Sequence, residues 1–188
     1  MHRWDLGILV SLAVLGGASV MERSSFAEDG LETKSFSGYA YDIDYMNRPP
    51  LQQWTQIGLK AMSGNGTLVS QTDNPILQTV LQTALLDRLQ ADVTYYEKDG
   101  PGPKAKLVTA AVTAKPDCSG KWCVVKVACL ANGECSARFR GEVREAKTNN
   151  SRALGVLLTS ITQKKAVENL DVDATTYEIR QVKVNDPR

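Results

Sequence analysis

The chain has 188 residues, of which 22 are Lys or Arg and 21 are Asp or Glu, so its net charge is +1 at neutral pH. This balance gives no global electrostatic preference for nucleic acid. The only histidine is His2, which lies in a segment that we expect to be removed. The mature chain therefore lacks the residue that Ser-His-Asp triads, Cys-His dyads and imidazole metal sites require.

Residues 1–27 have the pattern of a secretory signal peptide. Arg3 precedes an apolar run from Leu6 to Val20, and Ser25 and Ala27 are small residues before a cleavage point. The run has 15 residues, fewer than the roughly 20 of a membrane-spanning helix, which disfavours the alternative of a retained anchor. We predict export to a periplasm or the extracellular space, one mature domain of residues 28–188, and no integral membrane segment after cleavage.

Residues 35–45 alternate between the two faces of a predicted strand. One face carries Tyr39, Tyr41, Ile43 and Tyr45, and the other carries Gly38, Ala40, Asp42 and Asp44. We expect the aromatic face to pack beneath a helix in the core. The alternative is an exposed platform for sugars or a partner peptide, with Trp54 close in sequence.

After Asn74 the spacing of apolar residues changes from the two-residue period of a strand to the period of a helix. Asn74 can cap a helix, Pro75 suits its first turn, and apolar residues recur at helical spacing to about residue 90. Residues 152–167 fit either a helix or a strand, because Gly155 weakens the helical pattern. Further strands are predicted at 54–62, 67–70, 91–97, 106–115 and 175–184.

The run Asn132-Gly133 between two extended segments indicates a hairpin. A two-residue loop would set Val127 against Arg138, mixing apolar and charged side chains on one face. A three-residue loop with Gly133 left-handed makes one face wholly apolar, so we predict that register. It places Cys129 opposite Cys135, Val127 opposite Ala137 and Val125 opposite Phe139.

All four cysteines lie between residues 118 and 135, and an even number in an exported chain predicts two disulfides. The hairpin register pairs Cys129 with Cys135 and leaves Cys118 for Cys123, since Cys123 and Cys129 are too far apart along one strand. A four-cysteine zinc site is the alternative, but the spacing lacks the paired knuckles of a zinc ribbon. We predict structural disulfides, with no metal and no cofactor.

The same register predicts a cationic surface. Lys126 lies across from Arg138, and Arg140 follows along the strand. Like charges that face each other across a ladder are unfavourable. Either solvent or a carboxylate on a neighbouring strand, for which Glu178 is a candidate, offsets them, or the three cations bind an anion. Lys126, Arg138 and Arg140 are therefore candidate ligand-binding residues.

An acidic pair is a weaker candidate. Asp42 and Asp44 lie two apart on a predicted strand and so share a face, a spacing that could suit paired catalytic carboxylates or calcium. Asp171 and Asp173 repeat the spacing. Because alternating polar residues on a solvated strand produce the same pattern, we give this pair little weight.

These patterns predict an α+β fold: a mainly antiparallel sheet of about six to eight strands with one principal helix, stapled by two local disulfides. The sequence contains no Gly-rich phosphate loop, nucleophile elbow or His-Glu metal motif. We therefore predict an exported, non-catalytic binding domain for an envelope or extracellular protein or an anionic polymer, without specific nucleic-acid binding. The alternatives are a secreted hydrolase that uses Asp42 and Asp44, and a protease inhibitor that presents the loop between Cys118 and Cys123.

Overall fold

The computed structural model describes residues 31–48, 52–100, 102–115 and 117–184, and the predicted signal peptide, residues 1–27, lies outside them. The described residues form ten strands and two helices, which confirms the predicted α+β fold. In chain order these are β1 (Thr33–Arg48), β2 (Gln52–Ala61), β3 (Thr67–Thr72), α1 (Pro75–Asp87), β4 (Gln90–Glu97), β5 (Ala105–Thr113), β6 (Val124–Leu130), β7 (Cys135–Phe139), β8 (Ala146–Thr148), α2 (Ser151–Gln163), β9 (Glu168–Val172) and β10 (Ile179–Lys183).

Strands β1 to β5 form a closed barrel. β1 pairs antiparallel with β2 and β4, β2 pairs with β3, and β4 pairs with β5. A short parallel pairing of β3 with β5, in which Ser70 lies beside Ala105, closes the ring. The order β1-β2-β3-β5-β4, with α1 between β3 and β4, is the connectivity of the five-stranded Greek-key barrel known as the OB-fold.

Gly38 lies where β1 passes from one partner strand to the other. It is paired with Ala61 of β2 and with Ala91 of β4. A Cβ atom at this position would lie 2.2 Å from the backbone carbonyl oxygen of Lys60. The absence of a side chain therefore allows β2 to approach β1 closely enough to complete the barrel.

A β-bulge at Tyr41 interrupts the alternation of β1, because the register with β2 shifts between Ala40 and Asp42. One extra residue reverses the faces of the residues beyond it. Ile43 lies opposite the fully buried Ile57 and turns towards the core. The prediction that Ile43 shares a face with Tyr41 is therefore wrong, since simple alternation does not include the bulge.

Strands β6, β7 and β8 extend the sheet from β5 beyond the barrel. The β6–β7 hairpin has the predicted three-residue loop. The backbone N–H of Leu130 donates to the carbonyl oxygen of Glu134 over 2.8 Å, and Gly133 has a φ of 94°. Glycine at this position provides the left-handed backbone that such a loop needs.

The register of this hairpin confirms two of the three predicted facing pairs. Cys129 lies opposite Cys135, and Val127 lies opposite Ala137. At the far end of β6 an irregularity between Val124 and Lys126 makes Val124 the partner of Phe139. The predicted pairing of Val125 with Phe139 is therefore wrong by one residue.

Both predicted disulfides are present. The Cα atoms of Cys129 and Cys135 are 4.0 Å apart across the hairpin, and those of Cys118 and Cys123 are 6.0 Å apart around the turn before β6. All four residues are buried. The bridge between Cys129 and Cys135 holds the register on which the cationic surface depends.

The two helices begin with the same capping device. The Asn74 side chain accepts hydrogen bonds from two N–H groups of the first turn of α1, and Asn150 does the same for α2. Each asparagine backbone N–H donates in turn to a threonine hydroxyl, that of Thr72 or Thr148. These contacts satisfy N–H groups that a helix cannot pair internally. The ambiguous segment 152–167 is therefore helical as far as residue 163.

The buried apolar side chains of the sheet and both helices form one continuous cluster. α1 packs against β1 and β5, α2 packs against β6 and β10, and the two helices touch each other. Both helices bury their apolar faces on the inner side, so the outer face of the sheet carries neither of them. In the part of the chain that the structure describes, no helix is long and apolar enough to cross a membrane.

Candidate functional site

Exposed apolar side chains are concentrated on the first three strands. Of the eight large apolar side chains exposed in the described residues, six lie on or next to β1, β2 and β3. These six are Leu31, Tyr39, Tyr41, Tyr45, Met62 and Val69. Such a concentration, unlike apolar residues scattered singly, is typical of an interaction site.

We call the outer surface of these strands the tyrosine face. It comprises Tyr39, Tyr41, Asp42, Asp44, Gln56, Gly58, Lys60 and Val69. The expectation that the tyrosines pack in the core is wrong, because Tyr39, Tyr41 and Tyr45 are 42%, 52% and 60% exposed. The helix that was expected to cover them packs on the inner side of the sheet, and Tyr45 lies at the barrel end opposite the buried Thr55.

Gly58 supports the Tyr41 ring. A Cβ atom on Gly58 would lie 2.6 Å from Cζ of Tyr41 and 2.9 Å from each Cε atom. Because the two Cε distances are equal and nearly as short as the Cζ distance, the ring places its face, and not its edge, on the glycine. The opposite face of the ring points to solvent and is available for stacking.

Gly58 and its neighbours belong to the candidate site, but the sequence patterns did not identify them. A single glycine inside a strand often marks a close approach of another group, and Gly58 between Ile57 and Leu59 is such a glycine. The group that approaches Gly58 is the Tyr41 ring, and the bulge in β1 brings the ring there. The register then adds Val69 of β3 directly beside Gly58.

Polar residues lie near Tyr41 in the register of β1 and β2. Asp42 lies opposite Gly58, and Asp44 lies opposite Gln56. On the other side of the ring, Tyr39 lies opposite Lys60. The two carboxylates make no side-chain hydrogen bond or ion pair within the described residues. The tyrosine face therefore combines exposed aromatic rings with unpaired negative charge.

The geometry gives little support to a catalytic or metal-binding role for Asp42 and Asp44. Both are exposed on an open strand face, whereas carboxylates that act as general acids are usually desolvated. Among the described residues, no three His, Cys, Asp or Glu side chains lie together in a way that could hold a metal ion.

The second acidic pair has a structural contact. The backbone N–H groups of Thr176 and Thr175 donate to the Asp173 carboxylate and hold the pKa of that carboxyl below its usual value. These bonds shape the turn between β9 and β10, a two-stranded sheet separate from the tyrosine face. Asp171 pairs with Gln181 in the same sheet.

Trp54 marks one end of the tyrosine face. Its side chain lies against the β4–β5 loop, where a Cβ atom on Gly102 would come within 3.1 Å of the indole ring. The Gln71 amide holds the same loop by donating to the Pro103 carbonyl oxygen over 2.7 Å. The Trp54 indole N–H is buried and has no hydrogen-bond partner among the described residues.

The predicted cationic surface lies on the same outer side of the sheet, beyond β4 and β5. We call Lys126, Arg138, Arg140 and Lys147 the cationic strip. Lys126 faces Arg138, as expected, and the Lys126 Nζ atom is 3.7 Å from an Asp92 carboxylate oxygen. The suggested partner, Glu178, instead lies beside Lys147 of β8, and the two residues form a single parallel β-bridge through their backbones.

Asp92 reaches Lys126 across the intervening strand β5. On β5, Asp92 lies opposite Ala111 and Lys126 lies opposite Thr113, so the contact runs diagonally across that strand. Glu145 supplies a second carboxylate to the strip, since it accepts a 2.6 Å hydrogen bond from the Ser136 hydroxyl. Arg138 is exposed and makes no ion pair within the described residues.

The loop between Cys118 and Cys123, the candidate inhibitor loop, lies against the segment after α2. The backbones of Ser119 and Lys165 form a single parallel β-bridge. A Cβ atom on Gly120 would be 3.1 Å from Cβ of Ala166. Just before the loop, Lys164 donates to Asp117, and this hydrogen bond holds the pKa of Asp117 below its usual value. One side of the loop is therefore occupied by the chain itself.

One more ion pair links β1 to β4. The Lys34 Nζ atom lies 2.7 Å from a Glu97 carboxylate oxygen. This hydrogen bond raises the pKa of Lys34 and lowers that of Glu97. Both side chains are exposed, so the pair contributes little to stability.

Comparison of the chain with protein-family models, with curated proteins and with solved structures found no match. The two outer surfaces are therefore the features of the chain that bear on its function.

Proposed function

We propose that this chain is an exported, non-catalytic binding domain that holds a partner protein across the tyrosine face. One observation carries the proposal: exposed aromatic rings are concentrated on an outer sheet face that neither helix covers. Tyrosine is enriched at protein interfaces because its ring buries a large apolar area while its hydroxyl can still form a hydrogen bond.

The position of the face in the barrel supports a binding role. In OB-folds the face of strands two and three, with the adjoining loops, is the surface that binds oligonucleotides and oligosaccharides. This analogy concerns the place of binding and does not identify the ligand. The side chains of the face determine which class of ligand it fits.

The side chains favour a protein over a nucleic acid. Asp42 and Asp44 would repel phosphate groups, which supply most of the affinity for nucleic acids. Val69 is 42% exposed on the same face, and Met62, which follows β2, is 50% exposed. Aliphatic surface of this kind complements apolar side chains of a partner.

Export is supported by the two disulfides together with the pattern of residues 1–27. Structural disulfides persist in oxidising compartments and are rare in the cytosol. A partner would therefore be an envelope or extracellular protein. The overall charge of the chain does not favour one class of partner, since the net charge is only +1.

Affinity capture from the exported fraction of the native host tests the proposal with three baits. These are the unmodified chain, the variant Tyr39→Ala/Tyr41→Ala, and the variant Val143→Ala. Val143 is a matched control, because it is 95% exposed on the β7–β8 loop, outside the tyrosine face. We expect the double variant to lose its partner at least about tenfold and the control to retain it.

Retention of the same protein by all three baits would contradict the proposal, provided that circular dichroism shows the double variant to be folded. Binding of an oligosaccharide that the double variant abolishes, without a protein partner, would assign the face to a glycan instead.

A second candidate function is the binding of an anionic polymer on the cationic strip. The observation that favours it is the exposed Arg138, which has no ion-pair partner within the described residues. Asp92 and Glu145 already offset part of the positive charge there. This candidate therefore has weaker support than the tyrosine face.

A further inference from the structure

We propose that the partner presents an arginine side chain to the tyrosine face, where its guanidinium stacks on the outward face of Tyr41 and pairs with Asp42 or Asp44. This inference rests on the proposed function and names the chemistry by which the face would recognise its partner.

The Tyr41 ring lies with one face against Gly58. A Cβ atom built on Gly58 would be 2.6 Å from Cζ and 2.9 Å from each Cε atom of the ring. The side chain is 52% exposed, which leaves the other face of the ring accessible. A ring that already packs on one face loses less conformational entropy than a free side chain when a flat group stacks on it.

The two carboxylates lie beside this ring. Asp42 is opposite Gly58 and so flanks the ring directly, while Asp44 is two residues further along the same outer face, at a distance of about 6 to 7 Å. Within the described residues, Asp42, Asp44 and Lys60 take part in no ion pair. The negative charge next to the ring is therefore available to a cation from outside.

Arginine satisfies both features with one side chain. Its guanidinium is planar, so it stacks on aromatic rings, and its N–H groups form a fork that fits a carboxylate. The lysine ammonium group carries the same charge but is not planar, so it cannot stack on the ring in this way. A phosphate or sulfate would be repelled by Asp42 and Asp44. A neutral sugar could stack on Tyr41 but would leave the charge of the carboxylates uncompensated.

The test uses three short blocked peptides with the sequence Gly-X-Gly-X-Gly, where X is arginine, lysine or citrulline. Citrulline keeps the plane of the guanidinium group and lacks its charge. Each peptide is titrated into the exported chain with both disulfides intact, and backbone amide shifts are followed by NMR at low salt. We expect the arginine peptide to shift the amides of Tyr41, Asp42 and Gly58, and to bind several-fold more tightly than the other two.

The matched variants are Asp42→Asn/Asp44→Asn and Glu142→Gln/Asp171→Asn, which remove the same charge inside and outside the tyrosine face. We expect the first to weaken binding of the arginine peptide about tenfold and the second to leave it unchanged. Equal binding of the three peptides, or equal effects of the two variants, would overturn the inference.

The two proposals can fail separately. If the partner protein is lost with Tyr39→Ala/Tyr41→Ala but retained with Asp42→Asn/Asp44→Asn, the tyrosine face binds a protein without the arginine contact, and only the inference is wrong. If the partner is retained with the tyrosine variant, the proposed function is wrong. Selective binding of an oligosaccharide in place of the arginine peptide would also overturn the inference.

Discussion

The tyrosine face and the cationic strip lie on the same outer side of one sheet, separated by β4 and β5, yet they differ in how their charges are compensated. On the strip, Lys126 is within 3.7 Å of Asp92, and Glu145 lies next to Ser136. On the tyrosine face, Asp42 and Asp44 have no cation within ion-pair distance among the described residues.

This difference shows that opposed like charges are a poor indicator of a binding site. Lys126 and Arg138 face each other across a ladder, as the sequence predicted. The carboxylate of Asp92, two strands away from Lys126 in the sheet, offsets the repulsion diagonally across β5. Exposed aromatic rings beside unpaired carboxylates have no comparable internal explanation, which is why the tyrosine face is the better candidate.

The largest expected effect is at Gly38, which supports the tyrosine face from within the barrel. In the variant Gly38→Ala, a Cβ atom would lie 2.2 Å from the Lys60 backbone oxygen, so β1 and β2 must move apart. We expect the free energy of unfolding in urea to fall by about 3 kcal/mol. In the control Gly66→Ala, the added Cβ would be 3.5 Å from Ala61, and we expect a change within about 0.5 kcal/mol. Similar values for both variants would show that β1 and β2 can separate at little cost.

The second effect concerns the cationic strip, whose register is held by a disulfide. We expect Cys129→Ala/Cys135→Ala to lower the free energy of unfolding by about 2 kcal/mol, the value for a short closed loop. Changes in amide chemical shift should be confined to β6, β7 and β8, because the disulfide lies in the β6–β7 hairpin and the tyrosine face lies on β1, β2 and β3. Shift changes of equal size on β1 and β2 would show that the surfaces are coupled.

A third, smaller effect is expected at Gly58. A Cβ atom there would lie 2.6 Å from the Tyr41 ring, but a side chain can swing aside, so Gly58→Ala should cost only about 1 kcal/mol. Binding of the partner should weaken more than this cost implies, because the ring loses its support. The control Gly155→Ala, on the exposed side of α2 with no atom within 4 Å of the added Cβ, should instead stabilise the chain by up to about 1 kcal/mol. Unchanged partner binding in Gly58→Ala would argue against a role for the ring orientation.

The smallest effect on stability is expected on the strip itself. Asp92 and Lys126 are 28% and 20% exposed, so Asp92→Asn should change the free energy of unfolding by less than about 1 kcal/mol. It should also release Lys126 and raise the salt concentration at which the chain elutes from immobilised heparin, whereas Asp171→Asn should not.

The variant Arg138→Glu/Arg140→Glu should abolish retention of the chain on immobilised heparin. If that variant eluted with the unmodified chain, the anionic-polymer candidate would be removed.

Local patterns in the sequence predicted the elements whose geometry depends on neighbouring residues. The Asn-Gly turn and the need for one apolar face selected the three-residue loop, which in turn predicted the pairing of Cys129 with Cys135. Asn74 and Pro75 identified the start of α1. The equivalent cap at Asn150 was available as a signal for α2, but Gly155 and Thr159 obscured the helical pattern, and both prove to lie on its exposed side.

Predictions failed where the outcome depended on contacts distant in sequence. β1 pairs with both β2 and β4, and the bulge at Tyr41 lets it bend between them. No local sequence pattern identifies which residue of the strand has no partner in the register. The same bulge decided that Ile43 faces the core while Asp42 remains on the outer surface. The partner of Lys126 was equally unpredictable, since Asp92 approaches it only after β4, β5 and β6 have aligned.

Spacing along the chain was enough to predict the α+β class, the first helix, the disulfide pairing and the opposition of Lys126 and Arg138. The closure of the barrel by β3 and β5, the position of the helices on the inner side of the sheet and the contact of Tyr41 with Gly58 became visible only in the folded chain. These features depend on how strands far apart in sequence share one core, and the placement of an exposed side chain is a consequence of that packing.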